Sequence, residues 1–451
     1  VMAGPAIRSW NMAQYLSREH EVRLLTFGTV GVRPREFEVL SISPRDAHAA
    51  DVHVDWCDVI IFQGHAMALY PAIQDTEKVI VVDLYDPMHL EQLEQAKEKG
   101  PTKWALEVES ATQVLNQQME RGDFFLCASE RQRHFWLGQL ASLGRLNPLT
   151  YAADSSLNNL LALVPFGLPS VEPVRTAPAL RGVVPGIGAD DKIIIWGGGI
   201  YNWFDPLSLI QAVQRLSQTH PNIRLFFLGM QHPNPAVPEM QMAMRARNLS
   251  DAHGLTGTHV FFNEQWVPYA ERQNYLLDAD VGVSTHFEHI ETTFSFRTRI
   301  LDYLWTRLPI VTTRGDGFGD LVSAQGLGVA VPESDPDALA DALELMLFDE
   351  QASARARTNV GRVRQEFTWD KALAPLIEFC RDPRPAPDRL PPEEPGRRQA
   401  GQTRVLRARI GGDIRTAQRY LAEGGVRSML DAVTARLRRN RDARQRQAAK
   451  G

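Results

Sequence analysis

The chain has 451 residues, more than one ordinary domain, with 44% hydrophobic and 23% charged residues. These values set the expectation of a soluble globular protein with two domains and an appendage. Its three cysteines, Cys57, Cys127 and Cys380, are widely spaced, which argues against a disulfide framework or a zinc site and fits a reducing compartment. No apolar run reaches the roughly 20 residues that span a bilayer, and no signal peptide is read, so a cytoplasmic location is expected. The start "VMAGPAIRSW" lacks the initiator methionine and opening strand of an α/β domain, and a first strand is expected to be missing. The net charge of −5 is uneven: residues 381–451 carry 18 Lys/Arg against 8 Asp/Glu, a net of +10, which leaves −15 for the body. An acidic body with a basic tail speaks against a nucleic-acid reader and leaves the tail free to meet an anionic surface.

Along the body, β-rich runs alternate with helical periods, the pattern of a parallel sheet wrapped by helices. The predicted strands of the first half are "EVRLLTF", "DVIIFQG", "KVIVVDLY", "DFFLCAS" and "ALVPFG", with helices such as "IRSWNMAQYLSR" and "ERQRHFWLGQLASL" between them. The pattern then restarts with "KIIIWGG", "IRLFFLG", "HVFFN", "DVGVST", "PIVTT" and "GVAV". The reading is therefore an α/β chain of two Rossmann-like, doubly wound domains facing a cleft. The first domain spans 1–170, a Pro/Gly/Ala-rich linker 171–190, and the second domain 191–366. A crossover helix is expected at 367–382, a Pro-rich linker at 383–400, and a basic tail of two short amphipathic helices at 401–451. The tail reads either as a solvated appendage or as a dock for anionic lipid or a partner.

Several strand ends carry polar groups. Gly4 and Pro5 open the first helix, where free backbone N–H groups can face an anion. Arg8, one turn in, faces either the cleft or solvent. "VVDLYDPMH" places Asp83, Asp86 and His89 at a strand end, where they can orient a hydroxyl or accept its proton; the plainer alternative is that Asp86 caps the next helix. "IIFQGHAM" adds Gln63 and His65, and a lone histidine there is more often structural. After "KIIIW", Gly197, Gly198 and Gly199 let the backbone approach a diphosphate. Aromatics including Trp203 follow, then a helix start at Asp205-Pro206. This is neither GxGxxG nor a P-loop, so it supports neither a nicotinamide enzyme nor an NTPase.

The stretch "HIETTFSFRTRILDYLWTRLPIVTT", 289–313, reads as a loop, a helix and a buried strand. Phe296, Ile300, Leu301, Leu304 and Trp305 share one helical face. Arg299, Asp302 and Thr306 share the other, and Arg297 points away near the helix start. Arg299 and Asp302 are either an exposed i,i+3 pair worth about 0.2–0.5 kcal/mol, or part of an anion site where the helix start meets the cleft.

Together, "AGPAIRSWNMAQYLSREHEVRLLT", "KIIIWGGGIYNWFDPLSLIQAVQRLSQTHPNIRLFFLG", "YAERQNYLLDADVGVST" and "SFRTRILDYLWTRLPIVTTRGDGFGDLV" resemble the GT-B glycosyltransferases, specifically the retaining family 4. The resemblance covers about residues 1–380. It implies transfer of a sugar from a nucleoside diphosphate sugar, held mainly by the second domain, to a glycan or lipid-linked acceptor in bacterial surface polysaccharide synthesis. It also implies that the helices around "FTWDKALAPLIEFC" cross back to the first domain. The family's ribose-binding glutamate is matched by Asp302. The place of its donor-sugar glutamate holds Phe294, so Glu291 is the candidate replacement. The family's Arg and Lys after the glycine turn are absent. The expected donor residues are then Gly4, Gly198, Gly199, Trp203, Arg297, Arg299 and Asp302, with the diphosphate on Arg297 or Arg299. The expected catalytic and acceptor groups are Glu291, Asp86 and His65. No metal or other cofactor is expected, and the tail would hold the enzyme at the inner face of the cell membrane. Two alternatives stay open: a non-catalytic homologue that binds a glycan or partner enzyme, and a sugar-nucleotide epimerase. A pyridoxal-dependent phosphorylase is disfavoured, since no motif marks a Schiff-base lysine.

Overall fold

Among the described residues, twelve strands pair only in parallel. In chain order they are β1 (Arg23–Thr26), β2 (Glu38–Ser41), β3 (Val59–Gln63), β4 (Val79–Asp83), β5 (Phe124–Cys127), β6 (Leu161–Leu163), β7 (Lys192–Trp196), β8 (Ile223–Phe227), β9 (Val260–Phe262), β10 (Val281–Ser284), β11 (Ile310–Thr313) and β12 (Gly328–Val331). The computed structural model describes residues 4–230 and 240–390. The tail read at 401–451 and residues 391–400 of the Pro-rich segment lie outside the described residues. The described chain up to Asp388 forms one unit.

Local sequence accounts for these elements. Every residue of β4, Val-Ile-Val-Val-Asp, is buried, as expected of a strand covered by helices on both faces. The helix after β7, Pro206–Ser217, starts with proline in its first turn, and the Asp205 carboxylate accepts from the Ser208 N–H at 3.0 Å. Its Leu209, Ile210, Ala212, Val213 and Leu216 face the core, one stripe at helical period.

The second domain's sheet runs β12-β11-β10-β7-β8-β9. The chain moves outward from β7 to β9, then returns to β10 and moves outward the other way. The strand order therefore reverses between β7 and β10, and the crevice beyond their carboxyl ends is where such sheets take ligands. In the first domain β3-β4-β5-β6 form one sheet and β1-β2 a separate pair. Between β1 and β3 lies a cavity of about 1170 Å³, lined by Leu24 and Leu25 on one side, Val59 and Ile61 on the other, and Met12 and Leu16 of the first helix.

The segment 171–190 is fastened along the second domain. Val171 O accepts from Trp305 Nε1 at 2.8 Å, the Leu180 N–H donates to Asp278 at 2.8 Å, and Leu180 and Ile187 are core residues. Beyond the second domain the chain returns to the first. Leu168 N–H donates to Phe367 O and Trp369 N–H to Leu168 O, at 2.8 and 3.1 Å. Phe379 stacks on Phe124 of β5 at 4.2 Å between centroids. Ala386 N–H then donates to Asp123, and Asp388 pairs with Arg145 at 2.7 Å.

Candidate functional site

Two loops meet at the switch point. After β7, Gly198 takes φ +86°, a conformation open to glycine at no steric cost. After β10, Thr285 accepts from Asp205 N–H at 3.0 Å and its hydroxyl donates to Asp205 O at 2.5 Å, which ties the second loop to the first. Tyr303, on the helix Thr298–Trp305, sits beneath both. Its hydroxyl accepts from Gly197 N–H at 2.8 Å and lies 2.8 and 3.1 Å from Val283 O and Ile195 O. Burial pushes this phenol up to about 12, so it stays a neutral donor.

The helix Thr298–Trp305 buries Ile300, Leu301, Leu304 and Trp305, and Phe296 packs at the edge of the same core. Its other side is not a solvated stripe. Arg299 is 8% exposed and does not pair with Asp302. One Nη2–H of Arg299 donates to Gly199 O at 2.9 Å, and its guanidinium lies over Trp196 at 4.4 Å and Phe204 at 4.1 Å. Its Nη1 is buried without a hydrogen-bond partner. Among the described residues no carboxylate forms an ion pair with it. Burial, the largest effect, lowers its pKa to about 10, and Arg297 adds to that. Arg299 is thus a buried cation beside the glycine turn with one donor nitrogen unused.

Arg297 is placed otherwise. It precedes the helix and pairs with Glu291 through two bonds, Nη1–Oε1 at 3.1 Å and Nη2–Oε2 at 2.7 Å. Both residues are buried. Asp302 stands further along and pairs with Arg272, Nε to Oδ1 at 2.8 Å. Trp203 is buried in the core, stacked on the more open ring of Tyr201 at 4.9 Å. Gly4 opens the helix Gly4–Leu16, with open space where a Cβ would stand.

The first domain presents Asp86. Its side chain caps no helix: the helix Met88–Gln95 starts after Pro87 with no side-chain cap. Burial first, then the charges of Glu291 and Asp83, push Asp86 up to about 7. Glu91, in the first turn of that helix, is raised well above the usual carboxylate range by burial and by the charges of Asp86 and Glu291. Three carboxylates from both domains therefore face one another, and Arg297 offsets part of their repulsion. His89 is held near 4 by burial and is neutral, stacked on Phe135 at 5.5 Å. Asp83 does not join this group. It takes two bonds from the fully buried Arg8, at 2.6 and 2.8 Å, and so the pair is an internal brace. His65 is exposed; it and Asp86 both line the first domain's cavity.

Gln132 joins the two sides. Its amide N–H groups donate to Tyr85 O and Phe294 O, each at 2.8 Å, while its oxygen accepts from Ala128 N–H at 2.8 Å. Phe294 also packs its ring on Phe135 at 4.7 Å. The phenylalanine that stands where a glutamate is expected is thus a contact between domains. Sequence reasoning missed Glu91, Tyr201, Arg272 and Tyr303. Only Glu91 had a local signal, since it lies in the first turn of the helix that follows an acidic strand end.

Two parallel-sheet domains joined by a returning C-terminal helix, with a crevice at the switch point of the second, define the GT-B architecture. Residues 191–349 match the family model described as Glycosyl transferases group 1. Solved structures agree in fold. Sucrose-phosphate synthase from Thermosynechococcus elongatus matches with a TM-score of 0.59 at 16% identity, over 84% of this chain and 93% of that one. WaaG, a glycosyltransferase involved in lipopolysaccharide biosynthesis, matches at 0.58 and 16%, over 84% and 95%. HepE from Anabaena, in complex with UDP-glucose, matches at 0.61 and 14%, over 84% and 96%. No curated protein matches the chain in sequence. The chain therefore has the GT-B glycosyltransferase fold, and its second domain carries the group 1 glycosyltransferase match.

Proposed function

We propose that the protein is a retaining glycosyltransferase that moves a sugar from a nucleoside diphosphate sugar to a glycan or lipid-linked acceptor, in the synthesis of bacterial surface polysaccharide. The observation that carries this reading is Arg299, a buried cation with an unused donor and no carboxylate partner among the described residues, beside Gly198 and Gly199. A buried unpaired charge is costly, and a diphosphate in the crevice would supply the missing anion. The UDP-glucose in the complex of the Anabaena relative supports a nucleotide sugar as the donor, and the lipopolysaccharide role of WaaG supports an envelope glycan as the product.

In this reading the bond from the anomeric carbon to the diphosphate oxygen breaks as the bond to the acceptor oxygen forms. Arg299 and the backbone N–H groups of Gly198 and Gly199 stabilise the charge on the departing diphosphate, and no resident metal is assigned to that task. Glu291, braced by Arg297, contacts the donor sugar. Asp86 takes the proton of the acceptor hydroxyl, and the acceptor enters past His65. The basic tail is assigned to anionic lipid, on the inner face of the membrane, where lipid-linked acceptors reside.

Calorimetry with UDP, GDP and ADP tests the assignment. At least one is expected to bind, and Arg299→Ala is expected to weaken it about 10-fold or more, the scale of one charge-assisted contact. A wild-type protein that binds none of these, nor CDP or dTDP, overturns the donor-site assignment. The pairing of Glu291 with Arg297, which occupies both carboxylate oxygens, favours the second reading of a non-catalytic glycan-binding homologue. That reading gains if nucleotide binding is absent and glycan binding is present.

A further inference from the structure

The two domains meet along a seam of three helices. Ile290–Phe294 of the second domain packs on Met88–Gln95 and Glu130–Ser142 of the first. Phe135 touches both sides, with its ring 5.5 Å from His89 and 4.7 Å from Phe294. Gln132 bonds Tyr85 O and Phe294 O at 2.8 Å each. This packing brings Glu291, 2% exposed, up to Asp86 and Glu91 of the first domain.

Charges at the seam do not match. Arg8 holds Asp83 through two bonds, and Arg297 holds Glu291 through two. Asp86 and Glu91 face these pairs, and among the described residues neither side chain forms an ion pair or a hydrogen bond. Arg297 is the cation that acts on Glu91, but both its Nη groups are engaged by Glu291. Asp316 Oδ2, 3.9 Å from Arg297 Nε and 3.4 Å from His286 Nε2, adds a further acid beside that arginine. Other groups around the seam are neutral or paired elsewhere. His89 is held near 4 by burial, and burial lowers His289 as well. Burial raises Tyr85 and Tyr201, which stay neutral phenols. Arg299 donates to Gly199 O, Arg131 pairs with Asp320, and Glu94 lies 3.6 Å from Lys97. A desolvated carboxyl with like charges for neighbours keeps a proton that it loses in water.

We propose that the seam between the domains is a proton-linked switch. With Asp86 and Glu91 protonated, the helix Met88–Gln95 rests on Ile290–Phe294; when they ionise, repulsion from Glu291 and the cost of burying unpaired charge part the two helices and open the crevice. The switch stands apart from the nucleotide reading, since it needs no ligand in the crevice. Its direction follows from where the protons sit. In the closed form Asp86 is pushed up to about 7, and Glu91 moves the same way. With the domains parted each carboxyl meets water and ionises near pH 4. Closure is therefore favoured fully below about pH 4, and the share due to Asp86 is lost as pH rises through about 7.

The test is the distance between the domains in the full chain at about pH 5 and about pH 8. Spin labels on Leu106→Cys and Leu345→Cys, exposed positions of the first and second domain, report it. Cys57→Ser leaves the buried Cys127 and Cys380 as the native thiols. At the lower pH one distance is expected, and at the higher pH a second, longer one. The closed-to-open ratio should fall about 10-fold or more, the factor for a single carboxyl shifted by one unit. In the double variant Asp86→Asn with Glu91→Gln, neutral at both values, the ratio should change by less than about two-fold. Glu91→Gln alone should reduce the response, and it is the second probe if the double variant does not fold. Infrared difference spectra between the two pH values should show a protonated-carboxyl band lost in wild type and unchanged in the double variant. A wild-type distance that is the same at both pH values overturns the switch. So does a response that the variants keep undiminished, which would assign it to other groups such as the histidines.

Discussion

At the residue scale the cleft is governed by charges that are only partly balanced. Asp86 is pushed up to about 7, chiefly by burial and then by Glu291 and Asp83. In an unfolded chain the same carboxyl ionises near pH 4. Between those values the folded state keeps a proton that the unfolded state has lost. The stability linked to Asp86 therefore declines as pH rises from about 4 to about 7 and stays low above that. Asp86→Asn is neutral throughout. Its melting temperature is expected to exceed that of wild type at about pH 8 and to match it at about pH 4. Equal shifts at both would mean that Asp86 ionises as an ordinary carboxyl. Because Asp86, Glu91 and Glu291 interact, an activity profile would report a value for the group rather than for one member.

At the element scale the helix Thr298–Trp305 does two jobs with its two sides. One seals the core; the other presents Arg299, Asp302 and Tyr303 to the switch point. Tyr303 reaches its carbonyls only because β10 has glycine at position 282, where a Cβ would stand 2.5 Å from the ring. Gly282→Ala is expected to cost about 1–3 kcal/mol, the usual penalty for overpacking, measured by urea denaturation. A loss within error would mean that the ring moves freely. The helix period in the sequence separates the two sides, which is why Arg299 and Asp302 stand out before any fold is known. Their partners do not, since Gly199 lies 100 residues earlier and Arg272 30. The strands differ in the same way. β4 is an unbroken apolar run and legible, whereas β2, Glu38–Ser41, is exposed at both ends and has too little alternation to read. The linker read at 171–190 is Pro/Gly/Ala-rich because it lies along a surface in irregular turns, yet its Leu180 and Ile187 enter the core, a role that periodicity cannot reveal.

At the scale of the whole molecule, one side chain ties the first domain to the short helix Ile290–Phe294, which carries Glu291 where the sequence suggested a loop. Gln132 is fully buried and uses its whole amide, bridging Tyr85 O and Phe294 O. Gln132→Met keeps the bulk and removes the donors, leaving two carbonyls without them, at about 1–3 kcal/mol each if they stay dry. The expected result is a broader distribution of distances between the two domains, measured by paired spin labels on exposed sites of each. An unchanged distribution would mean that other contacts, such as Arg131 with Gly315 O at 2.8 Å, suffice to hold the domains.

The chain passes between the domains twice, and the two passes lie side by side at Leu168, bonded to Phe367 and Trp369. Gly167 is pressed so closely against Trp369 that a Cβ would meet it at 2.5 Å. The two passes are thus fastened to each other by backbone bonds and by this close contact rather than running independently. The same doubling means that a protease nick in either pass alone leaves the halves joined by the other.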